Sequence, residues 1–343
     1  MTSQPFTNIT SDVFVKPFSE DVNNFLVSLG VIISTLGIIG NGLVIFAFIR
    51  KLVDRTPFVL LLLNLSVSDV ITDLSMYPYL FLESEWYNKS AVPTQGLVCG
   101  LVKQIPGWTA TVANIITLTY ISFLRTSSFN ATSAGGGSKI LKRRNILLVI
   151  CLSWLLGLVL FTPHFFLFTI DRTKSICRHT SSRYFLISNA IQGLLLFAIP
   201  IGILSYNFIK TMIFLKKQRT ISHQSAILRR RHRLTFILLA LPVTLVILTS
   251  PLLIFIILRV TGYKKFTDDL AGKYEQRKIY RPVLLIALLN TVMDPLYYAL
   301  CWDQFRRGFA PRSSRTFDSE LKESSTCSMG TQKSSITSSA LMS

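Results

Sequence analysis

The sequence predicts an all-α integral membrane protein, a seven-transmembrane helix bundle followed by a short amphipathic eighth helix. Half of the 343 residues are apolar and only 15% are charged. With a mean hydropathy of +0.47, the chain is too apolar for a soluble domain of this length. Runs long enough to cross about 30 Å of hydrocarbon occur seven times. They lie near residues 25–49, 57–82, 100–124, 145–168, 184–212, 233–258 and 280–301.

Composition divides the chain into four parts. Residues 1–24 are polar and are predicted to form an extracellular N-terminus, and residues 25–301 form the bundle. Residues 302–311 are predicted to form the amphipathic helix and residues 312–343 a cytoplasmic tail. Because the tail is rich in Ser and Thr and has little apolar content, we expect it to be disordered. Residues 127–140, which include a run of glycines, are predicted to form a flexible inner loop.

The segment after the seventh run has the pattern of a helix that lies on a membrane surface. Its aromatic residues Trp302, Phe305 and Phe309 recur at helical spacing, with Arg306 and Arg307 between them. Apolar and basic residues arranged in this way are typical of helices at the inner membrane interface. The segment therefore predicts a short helix on that surface.

The distribution of Lys and Arg orients the bundle. With the N-terminus outside, more than half of the 36 basic residues fall in the inner loops and the tail, in agreement with the positive-inside rule. The sequons at Asn8 and Asn88 then lie outside, where they can be glycosylated. We expect a multi-pass protein of the plasma membrane. Its net charge of +19 then faces anionic lipid and needs no nucleic-acid partner.

Each apolar run also contains a polar residue, glycine or proline as a landmark. In chain order they are Gly40-Asn41; Leu65-Ser66-Val67-Ser68-Asp69; Asn114 and Arg125; Trp154 and Pro163; Pro200; Pro251; and Asn290 with Asp294-Pro295-Leu296-Tyr297-Tyr298. This ordered set resembles the rhodopsin-like (class A) G-protein-coupled receptors over about residues 25–310. The resemblance implies a receptor, not an enzyme, that binds an extracellular ligand and activates heterotrimeric G proteins.

Two cysteines lie on the outer side in this orientation. Cys99 precedes the third run, and Cys177 lies in the loop between the fourth and fifth runs. Disulfides form and persist on the oxidising side of the membrane. The resemblance implies a Cys99–Cys177 disulfide that holds this loop over the mouth of the bundle.

A group of polar residues is expected to face the bundle axis near mid-depth. In the family, this cluster holds a sodium ion in the inactive state. Buried carboxylates need a partner, a proton or a cation, and two of them close together either strengthen a cation site or share a proton. We expect sodium binding that lowers agonist affinity, and no other cofactor. The group comprises Asn41, Asp69, Asn114, Asn290, Thr291 and Asp294.

The cytoplasmic switch departs from the family pattern. The third run ends in Leu124-Arg125-Thr126 where the family usually has Asp-Arg-Tyr, so Arg125 lacks its acidic neighbour. The sixth run keeps Pro251 but lacks the Phe and Trp that usually precede it. Two interpretations follow. Either the chain is a coupled receptor with elevated basal activity that uses Arg125, Tyr298 and Pro251 as switch residues, or it is a poorly coupling decoy or dimer partner.

The possible classes of ligand are limited mainly by exclusion. The seventh run has no Lys for a retinal Schiff base, and the third has no Asp or Glu for a biogenic amine. The outer segments are basic, and a basic surface steers acidic ligands. We expect a peptide, as in neuropeptide receptors, with a small acidic or lipid ligand as the alternative. The residues predicted to line the pocket are Lys103, Gln104, Trp108, Arg178 and Tyr184.

The remaining features concern regulation. The sequence contains no nucleotide-binding loop, metal-ligand spacing or nucleophile arrangement, so no enzymatic activity is expected. In the family, Ser/Thr-rich tails are phosphorylated by receptor kinases and recruit arrestin. A tail that is only disordered is equally compatible with this composition.

Overall fold

The computed structural model contains seven helices that are long and apolar enough to cross a membrane, as the sequence predicts. Each predicted apolar run coincides with one of them. The structure describes residues 19–53, 56–82, 105–134, 142–171, 176–179, 182–221, 226–262, 270–301 and 303–309.

Helices α1 to α4 are Glu20–Ile49, Pro57–Leu82, Ile105–Ala134 and Arg143–Leu167. The fifth crossing, α5, has three consecutive parts: Ser182–Gly193, the π-helical segment Leu194–Ala198, and Ile199–Ile221. Helices α6, α7 and α8 are Ala226–Val260, Leu270–Cys301 and Asp303–Phe309.

The other long helices that the structure describes form a ring around α3, and this ring closes where α1 packs against α7. Helix α3 lies inside this ring and contacts α2, α4, α5 and α6. Large apolar side chains on the outer faces, such as Ile32, Leu155 and Ile254, are exposed. In water such faces would be costly, but a bundle surrounded by lipid tails is expected to present them. The polar side chains are therefore found toward the interior of the ring.

Helix α3 is longer at its C-terminal end than the sequence predicts. The helix continues to Ala134, so residues 127–134 of the predicted flexible loop are helical. Once a helix has formed, each further residue adds one hydrogen bond, and no Gly or Pro interrupts the chain between Gly107 and Gly135. The rest of the predicted loop, residues 135–140, lies outside the described residues.

Helix α5 widens in the middle, a feature that the apolar run near 184–212 does not predict. In the segment Leu194–Ala198 the amide of Ile199 donates to the carbonyl oxygen of Leu194, five residues earlier. Pro200 follows and has no amide proton to continue the ordinary four-residue pattern. Single π-helical turns of this kind insert one extra residue into an α-helix.

Two short strands on the chain between α4 and α5 are an addition to the predicted all-helical fold. Strand β1 (Phe168–Asp171) pairs antiparallel with strand β2 (Ile176–His179). In this register Cys177 lies opposite Ile170. The hairpin places the backbone of Cys177 on a defined strand.

Helix α8 follows α7 after one residue. The Phe305 side chain is buried, and its ring contacts that of Phe309 edge-on, with centroids 5.1 Å apart. Phe309 in turn lies 6.4 Å from the ring of Phe46 in α1. These contacts hold α8 against the end of α1. Its position on a membrane surface stays a prediction, and Trp302 and residues 310–311 lie outside the described residues.

Candidate functional site

The interior contains two polar clusters, both with members on α2. The first joins α2, α3 and α4. Asn64 donates from Nδ2 to Thr117 Oγ1 at 2.8 Å and accepts at Oδ1 from Trp154 Nε1 at 2.9 Å. The Thr117 hydroxyl in turn donates a hydrogen bond to the carbonyl oxygen of Ala113 at 2.6 Å. The amide oxygen, amide nitrogen, indole and hydroxyl that form this cluster are therefore all hydrogen-bonded.

The close approach of α3 and α4 depends on a glycine. A Cβ atom at Gly157 would lie 2.8 Å from the carbonyl oxygen and 3.0 Å from the Cα of Thr109. Both of these are backbone atoms, so the two helices touch here without an intervening side chain. Trp154 lies one turn from Gly157 on α4, and this approach helps to bring its indole within reach of Asn64.

The second cluster, the acidic core, joins α1, α2, α3 and α7. All six residues of the predicted polar group are buried, none more than 5% exposed: Asn41, Asp69, Asn114, Asn290, Thr291 and Asp294. Asn114 donates from Nδ2 to Asp69 Oδ1 at 2.5 Å. Asn41 donates from Nδ2 to the carbonyl oxygen of Thr291 at 2.7 Å. Asn114 thus joins α3 to α2, and Asn41 joins α1 to α7.

The acidic core also contains a third carboxylate, which the sequence analysis does not single out. Asp73 is fully buried and accepts a hydrogen bond at Oδ1 from Thr291 Oγ1 at 3.0 Å. It lies four residues after Asp69 and therefore on the same face of α2. A carboxylate within a hydrocarbon-length segment is itself a signal of function, so the sequence does contain the clue to this residue.

The three carboxylates have few hydrogen-bond donors. They have six oxygen atoms, of which only Asp69 Oδ1 and Asp73 Oδ1 receive a hydrogen bond. Asp69 Oδ2, Asp73 Oδ2 and both oxygens of Asp294 have no donor. Asp69 interacts electrostatically with both other carboxylates. Among the side chains that the structure describes, no Lys, Arg or His is buried with them. Asp69 and Asp294 lie within hydrogen-bonding reach of each other, so this pair can either share a proton or bind a cation.

A cavity of about 80 Å³ adjoins the acidic core. Its walls are mainly apolar and come from α2, α3, α5, α6 and α7. Trp108 and Met76 line it together with Asp69. Trp108 is stacked on Phe161, with ring centroids 5.7 Å apart. The polar residues of the lining are Asp69, Thr72, Thr111, Asn114, Thr249, Asn290 and Thr291.

The α6 side chains that line the cavity are smaller in this chain than the aromatic residues usual in the family. Thr249 lines the cavity at the position where the family usually has Trp, and its hydroxyl donates to the carbonyl oxygen of Leu245 at 2.6 Å. Leu245, which also lines the cavity, takes the place of the usual Phe. Because a threonine side chain is much smaller than an indole, the cavity extends to the acidic core. The two aromatic residues are visibly missing from the sequence, but their absence alone does not predict this opening.

The predicted switch residues lie toward the C-terminal ends of α3 and α7 and within α6. Leu124 is buried where the family has its acidic residue, and Thr126 is buried and donates to the carbonyl oxygen of Ser122 at 3.1 Å. The backbone of Arg125 belongs to α3, but its side chain lies outside the described part. Tyr298 is fully buried, and Pro251 lies inside α6.

Several predicted site residues fall where the structure gives no side chain. Of the predicted pocket, only the Trp108 side chain is described, and it lines the cavity. Cys177 and Arg178 have their backbone in β2, and Tyr184 has its backbone in α5. The remaining predicted residues, Asn8, Asn88, Cys99, Lys103 and Gln104, lie outside the described residues, as does the tail.

The family model and the similar proteins point to the same family. The family model described as 7 transmembrane receptor (rhodopsin family) matches residues 40–298. The succinate receptor 1 of Rattus norvegicus is 25% identical over 283 residues, which cover 79% of this chain and 84% of that receptor. The neuropeptide Y receptor type 2 of Mus musculus is 27% identical over 292 residues, which cover 80% of this chain and 72% of that receptor.

The family match runs from the middle of α1 to Tyr298 in α7, and so it includes both polar clusters and the cavity. Together with the seven crossing helices, it identifies a multi-pass membrane protein. The chain belongs to the rhodopsin family of seven-transmembrane receptors.

Proposed function

We propose that this protein is a receptor of the plasma membrane, with its N-terminus outside, that binds a peptide and activates heterotrimeric G proteins. The observation that supports this most directly is the cavity between α3, α6 and α7, which ends at the buried Asp69. A ligand in this cavity contacts helices that also meet at the acidic core. A relative of the chain is named as a neuropeptide Y receptor, which favours a peptide ligand.

The packing suggests how ligand binding acts on the inner side. Helices α6 and α7 pack against each other along their length and are joined by a hydrogen bond of 2.6 Å between Thr244 and Tyr297. A ligand that contacts Leu252 on α6 and Leu284 on α7 therefore acts on both helices at once. Pro251 interrupts the hydrogen bonding of α6 next to this contact, and such positions allow a helix to bend.

Sodium is the ion that we propose for the acidic core. Carboxylate, hydroxyl and amide oxygens are the ligands that hard cations prefer, and Asp69 Oδ2 and both Asp294 oxygens are buried without a donor. Asp69, Asp294, Asn114, Asn290 and Thr291 are therefore suited to hold the ion. When bound, sodium would neutralise part of the buried charge and favour the inactive arrangement. Agonist affinity is expected to fall in NaCl relative to choline chloride, and equal affinities would contradict this role.

Coupling to G proteins is tested by basal activity. Biosensors for each Gα class are expressed with this chain or with its Arg125→Ala variant at matched surface levels. We expect a basal signal in at least one class that the variant loses, because no acidic residue adjoins Arg125 to restrain it. The matched control is Arg50→Ala, which removes an exposed basic residue at the inner end of α1.

The main alternative is a receptor-like protein that does not signal, such as a decoy or dimer partner. Leu124 stands where the family usually has an acidic residue, so Arg125 has no acidic neighbour in the sequence. A decoy is expected to bind its ligand but to remain silent with every Gα class, including after an agonist is added. Ligand-dependent nucleotide exchange on any G protein would exclude this alternative.

A small acidic or lipid ligand is the alternative to a peptide. A second relative is named as a succinate receptor, and the outer loops of this chain are basic. Lys264, Lys265 and Lys273 are the residues proposed to steer an acidic ligand. Replacing all three with Gln is expected to reduce agonist potency more at low than at high salt, since steering is screened by salt. Unchanged potency for every agonist would contradict the steering proposal.

Regulation is proposed to act through the tail. Phosphorylation of Ser and Thr residues after residue 312 by receptor kinases would add negative charge that arrestin can bind. Truncation of the tail at residue 312 is expected to abolish arrestin recruitment while G-protein activation remains. Arrestin recruitment that is unaffected by the truncation would count against this role.

A further inference from the structure

We propose that the cavity beside the acidic core receives the end of one ligand side chain that carries a positively charged N–H donor, such as an ammonium or guanidinium group. A carboxylate is disfavoured at the same place. The inference rests on the proposed function of the chain as a receptor. It adds to that function the chemistry of the ligand group that enters the bundle most deeply.

The charge on the cavity wall is negative. Asp69 lines the cavity, and no Lys, Arg or His is among the described residues of the lining. Asp69 lies within hydrogen-bonding reach of Asp294, and a pair of carboxyl groups that shares one proton still keeps one negative charge. A buried negative charge attracts a cationic group and makes the entry of a second anion costly.

The protons of the wall are largely used within the protein. The Asn114 amide donates to Asp69 Oδ1 at 2.5 Å. A hydroxyl has one proton and two lone pairs, so a threonine that already donates offers a ligand only acceptor positions. All four threonine hydroxyls of the wall have a backbone carbonyl oxygen as acceptor, at distances of 2.6 to 3.5 Å: Thr72, Thr111, Thr249 and Thr291.

The wall therefore suits a ligand group that brings its own donors. The further side-chain N–H groups of the lining belong to Asn290 and Trp108, and neither carries a positive charge. A carboxylate at this place would meet few donors and would lie near Asp69. An ammonium or guanidinium group instead donates to acceptors that are already there, and hydrogen bonds between charged groups are the strong ones.

The size and the apolar part of the wall fit a single side chain. The cavity measures about 80 Å³, roughly half of the engineered apolar cavity that holds benzene. It has room for the last few atoms of a side chain and not for a longer segment of peptide. Trp108, Phe197 and Leu252 are among its apolar residues. They can pack against an alkyl stem, and aromatic faces also attract cations.

Thr249 is the residue that we expect to decide whether such a group reaches the carboxylate. Thr249 and Asp69 line the same cavity, and the family usually has Trp at position 249. An indole there would fill part of this space, since it is far larger than the side chain of threonine. The small residue therefore makes Asp69 available to a ligand.

The cavity and the outer loops then select opposite charges on one ligand. The outer loops are basic, with Lys264, Lys265 and Lys273 among their residues, and they steer acidic groups. The cavity wall favours a cationic group. A peptide can carry acidic residues at one end and a cationic side chain at the other, whereas a small acidic ligand meets only the first requirement. The inference therefore favours the peptide over the small acid.

The test measures the binding of three probes of similar size to the purified full-length chain in lipid nanodiscs: n-propylammonium, 1-propanol and propionate. Saturation-transfer NMR of the probe follows binding in choline chloride, with empty nanodiscs as the blank. We expect saturable binding of n-propylammonium and about tenfold weaker binding of the other two, because neither brings a cationic N–H donor to the buried carboxylate. Propionate that binds as well as n-propylammonium would overturn the inference, and so would a lack of saturable n-propylammonium binding.

Two variants with matched controls locate the probe in the cavity. Asp69→Asn removes the charge of the wall, and Thr249→Trp fills space beside it. Each is expected to weaken n-propylammonium binding by about tenfold or more. The control for the first is Asp73→Asn, a buried carboxyl group that is not among the lining residues. The control for the second is Ile247→Trp, on the exposed face of α6.

Each control should weaken binding much less than the variant that it matches. Because the two variants change the wall in different ways, one of them suffices if the other folds poorly. Equal affinities in a folded variant and its control would overturn the inference.

G-protein activation separates this inference from the proposed receptor function. Probe binding is measured without agonist or G protein, so a decoy that never signals can still bind n-propylammonium. Conversely, a basal signal that depends on Arg125 supports coupling whether or not the cavity prefers a cationic probe.

Discussion

Helix α2 contributes to two polar clusters that are only five residues apart and that differ in one respect. At Asn64, every polar atom that joins α2, α3 and α4 has a hydrogen-bond partner. At Asp69 and Asp73, four of the six carboxylate oxygens of the acidic core have none. The first cluster is complete with protein atoms alone, whereas the second is not.

This difference indicates what each cluster does. A buried polar network in which all members are paired rigidifies the helices that it joins. Carboxylates that are buried without donors raise the free energy of the protein by itself and lower it once a cation or proton arrives. We therefore interpret the Asn64 cluster as structural and the acidic core as a binding site. Replacing a carboxylate of the acidic core should therefore have the opposite effect on stability from replacing a member of the Asn64 cluster.

The largest expected effect is a loss of stability at the structural cluster. Asn64→Leu removes the acceptor of the Trp154 indole and the donor to Thr117, so the buried N–H is left unpaired. We expect a loss of about 3 kcal/mol in the free energy of unfolding. The measurement is thermal unfolding of the purified protein in detergent, followed by tryptophan fluorescence.

A double-mutant cycle checks that this loss arises at the Asn64–Trp154 pair. Trp154→Phe removes the indole donor and is expected to cost less alone than Asn64→Leu. In the Trp154→Phe background, Asn64→Leu should lower the free energy of unfolding by distinctly less than about 3 kcal/mol. In that background no indole N–H is left without an acceptor. Additive losses would show that the two side chains are not coupled. The loss should also be the same in NaCl and in choline chloride.

The next effect concerns the close approach of α3 and α4. Gly157→Ala is expected to cost about 2 kcal/mol, because the new methyl group meets backbone atoms of Thr109 that cannot move independently of the helix. The control is Gly202→Ala in α5, where a Cβ atom meets nothing within 4 Å. That change should gain up to about 1 kcal/mol from helix propensity. Similar unfolding midpoints for the two variants would contradict the contact.

At the acidic core the expected change is smaller and opposite in sign. Asp294→Asn replaces one of three interacting carboxyl groups and supplies an amide donor. Without sodium we expect it to gain about 1 kcal/mol of stability. The gain should shrink as NaCl is added, because the unmodified chain is then stabilised by the ion. A loss of stability in choline chloride would show that the carboxylates are already compensated.

The smallest effect compares two threonines that both donate to the carbonyl oxygen of their own helix. Thr291→Val also removes the contact to Asp73 on another helix and should cost about 0.5–1 kcal/mol. Thr119→Val removes only a bond to the carbonyl oxygen of Ile115 and should change stability little. Equal costs would mean that the Asp73 contact contributes nothing.

The sequence predicts the bundle well and the interior less well. Seven crossings follow from apolar runs of hydrocarbon length, since lipid leaves few alternatives to a helix. The six polar core residues are recognisable because their family motifs are local in sequence. The Asn64, Thr117 and Trp154 cluster is not, because its members come from three helices and only their packing shows that they meet.

Other features were missed for different reasons. Asp73 is visible in the sequence as an intramembrane carboxylate, but it belongs to none of the motifs that indicate the family. The extent of the cavity depends on the small size of Thr249 together with the positions of α3 and α7, which the sequence does not specify. The glycine run at 135–137 predicts a flexible loop over residues 127–140, but the absence of Gly and Pro before it lets α3 continue to Ala134.

The π-helical segment Leu194–Ala198 has a consequence for how the fifth crossing tolerates changes in length. An α-helix turns by about 100° per residue, so one residue added or removed rotates everything beyond it away from its neighbours. The wide turn already absorbs one surplus residue. A deletion within Leu194–Ala198 can convert it to an ordinary helix and leave the buried faces on both sides, with Gln192 before it and Leu204 after it, in place. A one-residue deletion elsewhere in α5 would instead rotate the residues beyond it away from their neighbours.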